Sequence, residues 1–163
     1  MPLADRLAKT LELYSPNLII CHRDAESESW NQRLREINAA HTLSSIEIPI
    51  IMAIPVRMIE SWLLCDERSI RAAANNKNGD HPIDFPVTNR IENIQDPKEK
   101  LFSILRSASN LSARRMQKFD VYSARKRISS HLDSITPLRA LPSFAAFERK
   151  FIEVIENLQA SQN

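Results

Sequence analysis

The sequence predicts an α/β fold: a small parallel sheet flanked by helices, followed by a mainly helical C-terminal half. Three observations carry this. Leu18-Ile19-Ile20-Cys21 and the stretch from Ile46 to Ile54 are short apolar runs, as expected of buried strands. Each is followed by apolar residues at helical spacing: Trp30, Leu34 and Ile37 after the first, and Val56, Ile59, Trp62 and Leu63 after the second. From Pro97 onward the pattern is helical. The order strand, helix, strand, helix makes parallel pairing through a right-handed crossover the expected connection.

Taken in order, residues 3–14 read as a helix with Leu3, Leu7, Leu11 and Leu13, broken by Ser15-Pro16-Asn17. The first strand, 18–21, is apolar throughout and reads as buried on both faces. The second is interrupted by Pro49 and ended by Pro55, and its following helix runs to about Ala74. Residues 75–97 are polar and carry three prolines, which marks a loop, although Ile83, Phe85 and Val87 alternate as a strand does. Pro97-Lys98-Glu99 opens a helix with Leu101, Phe102 and Leu105, and Ser123 opens another with Ile128 and Leu132. Ser143 caps the last, whose Phe144, Phe147, Phe151, Val154, Ile155 and Leu158 form one core-packing face. The whole chain, 1–163, is read as one domain, with a βα segment at 1–74, the loop at 75–97 and a helical part at 98–163.

Composition excludes several chemistries. The 163 residues include one glycine, Gly79, where average usage of roughly 7% gives about eleven. A dinucleotide-binding loop, a phosphate-cradling P-loop and a Gly-marked nucleophile elbow all need more. Cys21 and Cys65 form no C-x-x-C and read as reduced structural thiols of a cytoplasmic protein. No signal peptide is evident after Met1, and no apolar stretch nears the roughly 18 residues of a spanning helix, so no membrane partner is expected. Charge is asymmetric: residues 1–80 carry net −2 and residues 81–163 net +4. Between 106 and 127, Arg106, Arg114, Arg115, Lys118, Arg125, Lys126 and Arg127 face one acid, Asp120.

The sharpest candidate site is His22-Arg23-Asp24-Ala25-Glu26, at the end of the first strand. Ligands of open parallel sheets bind beyond the carboxyl ends of the strands. Two carboxylates there repel unless a cation lies between them, and Mg²⁺ prefers such oxygens. Helix capping by Asp24 or Ser27, with Glu26 and Glu28 in the first turn, is the alternative. Glu60 follows the second strand among Met58, Ile59 and Trp62, a setting in which an unpaired carboxylate is costly. Its partner is Arg57, three residues back, or a metal shared with Asp24. The basic stretch, with Phe119 and Tyr122 interleaved, suits a phosphate backbone or a solvated helix face. His22, His41, His81 and His131 share no ligand spacing, and no Ser–His–Asp set is legible.

The strings LIICHRDAE, IPVRMIESWLLCD, DPKEKLFSIL, VYSARKRISSHLD and LPSFAAFERKFIEVI, in that order, resemble the TOPRIM-like domain of unknown function numbered four-two-seven-six. The resemblance covers about residues 17–158, and Glu60-Ser-Trp-Leu-Leu-Cys-Asp66 is its most specific part. It implies a TOPRIM-like, Mg²⁺- or Mn²⁺-dependent, nuclease-like protein that hydrolyses nucleic-acid phosphodiesters, DNA before RNA. It further implies a phage-defence setting beside an ATPase of the overcoming-lysogenisation-defect type. Asp24 matches the first acid of the family's Asp-x-Asp turn, Glu26 stands in place of the second, and Glu60 matches the acid before Trp-Leu-Leu. These three would hold the metal and carry catalysis, while Lys98, Arg114, Arg115, Lys118, Arg125 and Lys126 would position nucleic acid. The family's opening strand and its Glu-Gly are expected to be missing from this sequence, encoded elsewhere, lost or cut off by the start codon, since Glu12 is the only Glu before Asp24 and lies in a helical pattern. The alternatives are a non-catalytic subunit that binds a neighbouring ATPase and, third, a small nucleotide-binding regulator. Two strands alone leave sheet edges open, so a partner strand, a homodimer or a strand within 81–95 is expected.

Overall fold

The computed structural model describes residues 1–161. They divide into two compact units, one made of Met1–Val56 with the chain from Pro142 onward, the other of Arg57–Leu141.

The first unit holds the sheet. β1 (Ile19–His22) and β2 (Ile50–Ala53) pair in parallel, with Ile19 opposite Ile50 and His22 opposite Ala53. Pairing extends past both strands, because Arg23 N–H donates to the Ala53 carbonyl and Ala25 N–H to that of Pro55, each at 3.0 Å. β2 is shorter than the apolar run, starting just after Pro49, which has no N–H for a ladder. α1 (Leu3–Tyr14) and α2 (Trp30–Ser44) pack together, and Leu7, Ile19, Cys21, Ile37, Ala40, Ile46, Ile50 and Ile54 form the buried core. Ser29 caps α2, accepting from Gln32 N–H at 3.2 Å, in place of the expected Asp24 or Ser27. β1 is not buried on both faces: Ile19 and Cys21 are, but Ile20 remains 48% exposed and His22 is exposed. On β2, by contrast, Ile51, the registered neighbour of Ile20, is fully buried.

α8 (Pro142–Ala160) packs on β2. Pro142, not Ser143, opens it; proline suits the first helical position because its missing N–H has no helical acceptor there. Phe144 and Val154 are buried, but Phe147, Phe151, Ile155 and Leu158 are only half-buried, so the predicted core face is partly covered.

The second unit is helical. The predicted helix ending near Ala74 is two helices, α3 (Glu60–Leu63) and α4 (Glu67–Ala73). Asp66 divides them by taking extended backbone and accepting from Ser69 N–H at 3.0 Å, so its side chain starts a new helix rather than continuing the old one. No strand forms at 81–95: Pro82 and Pro86 lack donors, and Thr88–Asn93 winds into a 3₁₀ turn around buried Ile91. Arg71 holds this segment by donating to the His81 carbonyl at 2.9 Å. α5 (Pro97–Ser109), capped by Asp96, packs against α3, α4 and α7 (Val121–Arg127), with Leu101, Ile104 and Leu105 buried. A short α6 (Ala113–Met116) lies between α5 and α7 in the chain. α7 begins at Asp120 rather than Ser123, since Asp120 is the cap and Ser123 donates to it.

Gly79 sits where an added Cβ would lie 2.1 Å from the Asn76 amide nitrogen. That amide donates to the Ala108 carbonyl at 2.7 Å and ties the loop to the end of α5. Among the described residues, no helix is long and apolar enough to cross a membrane. Cys21 and Cys65 are both buried free thiols, and burial pushes the Cys65 thiol up to about 11.

Candidate nucleic-acid interface

The predicted acids divide between the units. Asp24 and Glu26 lie just past β1 in the first, and Glu60 opens α3 in the second. His22 Nε2 lies 3.4 Å from Asp24 Oδ1. Glu26 is largely exposed, has a left-handed backbone (φ 56°), and faces Arg33 at 3.5 Å. Arg33 and Arg23 in turn grip Glu36, at 2.7 and 2.9 Å. The turn is therefore a mesh of alternating charges in which each carboxylate already has a cation or imidazole neighbour.

Glu60 is buried, and Arg125 Nε of α7 donates to its Oε1 at 2.7 Å. The 5%-exposed carboxylate has thus found a charge-assisted bond that offsets part of its desolvation. The partner comes from across the unit, 65 residues on. This uses one of the six predicted phosphate-binding cations as a structural clamp.

Among the described residues, no group of three His, Cys, Asp or Glu side chains is gathered as a metal ion requires. Glu60 is held by Arg125, while Asp24 and Glu26 have an imidazole and a guanidinium close by.

The cations of the second unit are arranged differently. This unit carries fifteen Lys and Arg against ten Asp and Glu, net +5, while the first unit is net −3. Charge thus segregates by unit. On α5, Lys98, Phe102 and Arg106 follow each other at i,i+4 and share one helix face. Lys98 Nζ lies 5.8 Å from the Phe102 ring centre and Arg106 lies 5.9 Å from it, so two cations flank one buried ring. Tyr122, the second residue of α7, meets Phe102 edge-on, with centroids 5.0 Å apart and planes at 78°. Lys98 Nζ is also 5.8 Å from the Tyr122 ring. Lys126, one turn beyond Tyr122, is exposed. Arg114 and Arg115 of α6, and Lys118 just after it, are also exposed. The structure thus joins Lys98 to α7 through Tyr122. The part played by Phe102 and Arg106 escaped the sequence reading, although the i,i+4 spacing with Lys98 was available as a signal.

Asp120 fixes the start of α7 and hence the place of Tyr122. Bonds from the Ser123 hydroxyl and then the Ser123 N–H hold the Asp120 carboxyl below its ordinary value. A carboxylate with a lowered folded pKa contributes stability above its unfolded pKa and loses it as pH falls through the folded one. Asp120→Ala is therefore expected to lower the thermal midpoint at neutral pH. The deficit should shrink toward zero in acid, below the carboxylate range; a deficit independent of pH would contradict the charged cap.

No protein-family model, curated protein or solved structure matches the chain.

Proposed function

We propose that this protein binds nucleic acid, DNA before RNA, through the cationic and aromatic face of its second unit. The observation that supports this reading best is the cluster of Lys98, Phe102, Arg106 and Tyr122 in a unit of net charge +5. Lys and Arg that replace counterions along a phosphate backbone supply sequence-independent affinity. The role of Arg125 changes in this reading: its bond to buried Glu60 makes it a positioning residue for α7.

The test is fluorescence anisotropy of the full chain with labelled DNA. Saturable binding that weakens in Lys98→Ala and Lys126→Ala is expected; no binding at low salt would overturn the reading. The same mixtures with Mg²⁺ or Mn²⁺ address the hydrolysis that the TOPRIM-like resemblance implies. Strand scission abolished by Asp24→Asn and Glu60→Gln would support Asp24, Glu26 and Glu60 as a metal site. Binding without scission supports the non-catalytic reading.

A further inference from the structure

The geometry points to Tyr122 as a stacking platform for an unpaired base, which makes the preferred ligand single-stranded rather than duplex. This rests on the nucleic-acid reading above and narrows it. Tyr122 is 60% exposed although it lies at the first turn of a packed helix, between buried Val121 and buried Ala124. Its neighbour explains how an exposed ring is kept in place. Phe102, only 4% exposed, presents its neighbour at a 78° interplanar angle and 5.0 Å, so the tyrosine is braced along one side. Bracing removes part of the rotamer entropy that a free surface tyrosine loses on binding.

Charge then selects the ligand. Lys98 Nζ stands 5.8 Å from the same ring, and exposed Lys126 follows one helical turn later. Lys98 stands over one face of the ring, so a base laid on the other face has ammonium groups near it for its flanking phosphates. Aromatic faces flanked by cations bind single strands because every base has a π-face, with little dependence on sequence. In a duplex those faces are covered by the neighbouring pairs, so a ring standing on a helix surface has nothing to stack on. A duplex would meet only the cations.

The experiment compares two fluorescein-labelled DNA probes: an oligothymidine of about 15 nucleotides, near the upper site size for small single-strand modules, and a duplex of the same length. Binding by the full chain is followed by anisotropy for the wild type, Tyr122→Ala, Tyr122→Phe and Lys98→Ala. Tyr122→Ala is expected to lose about tenfold in affinity for the single strand, and less than about twofold for the duplex. Tyr122→Phe keeps the ring and should bind as the wild type does, which guards against a folding defect in the alanine variant. If the wild type binds both probes, Lys98→Ala weakens both, and Tyr122→Ala changes neither or both alike, the platform is wrong and the nucleic-acid reading survives. If the wild type binds neither probe, the underlying reading fails with it.

Discussion

Arg125→Ala is expected to lower the stability of the second unit by about 2–3 kcal/mol. Glu60 is 5% exposed and its Oε1 accepts from Arg125 Nε at 2.7 Å. Removing the guanidinium leaves a buried carboxylate without that bond, on a segment where Trp62 and Leu64 are buried too. Breaking a fully buried pair costs about 3–5 kcal/mol. Arg125 is 29% exposed, so water reaches the site and the lower figure applies. Glu60→Gln keeps an acceptor and removes the charge, and should cost about 1 kcal/mol. The double variant should be more stable than the sum of the two single losses predicts, because neither leaves the other's charge unpaired. Urea unfolding of the four proteins measures this; additive losses would show that Arg125 and Glu60 do not support each other.

Leu105→Ala should have the larger effect, about 3–4 kcal/mol. Leu105 is wholly buried on α5, the helix that packs on α3, α4 and α7 together. A fully buried leucine on a helix with three packing partners leaves a cavity that neighbours fill only in part, so the cavity term persists. Leu105→Met conserves most of the volume and should cost less than about 1.5 kcal/mol. Chemical denaturation of both variants checks the pair. A loss below about 1 kcal/mol for the alanine would mean that α5 is not the centre of its unit.

Much of the local structure was legible because it follows from proline and apolar spacing. Pro49 and Pro55 bracket β2, and Pro97 opens α5 as expected. Helix ends were less legible, and the single glycine explains why. C-terminal turns that usually use glycine in the left-handed region use Ser15, Ser45 and Asn110 here, at φ 42°, 53° and 49°. Serine also favours N-caps, so it does not distinguish the two ends of a helix. The same ambiguity placed the start of α7 at Ser123, which is the donor to the true cap, Asp120. The division at Asp66 was hidden because Val56 to Ala74 keeps helical spacing across it.

The candidate acids were legible as residues but not as an arrangement. Strand-end position correctly placed Asp24 and Glu26 past β1, yet local spacing could not reveal that Glu60 is gripped by Arg125 from another helix. Long-range pairing carries no periodic signal. The cationic side was the reverse case. Lys98 and Tyr122 were separately visible, and the fold supplied the buried ring of Phe102 that brings them together. Open sheet edges remain an expectation of the thin sheet: β1 and β2 are the only strands among the described residues.

The salt dependence of DNA binding is the most direct measurement of the central claim. The logarithm of the binding constant should fall linearly with the logarithm of salt concentration for the full chain, because bound counterions are released. Lys98→Ala and Lys126→Ala should each make that slope shallower by about 0.7–0.9, while Lys150→Ala, on the first unit, should leave it unchanged. Binding that is insensitive to salt, or slopes equally altered by the Lys150 variant, would contradict an interface on the second unit.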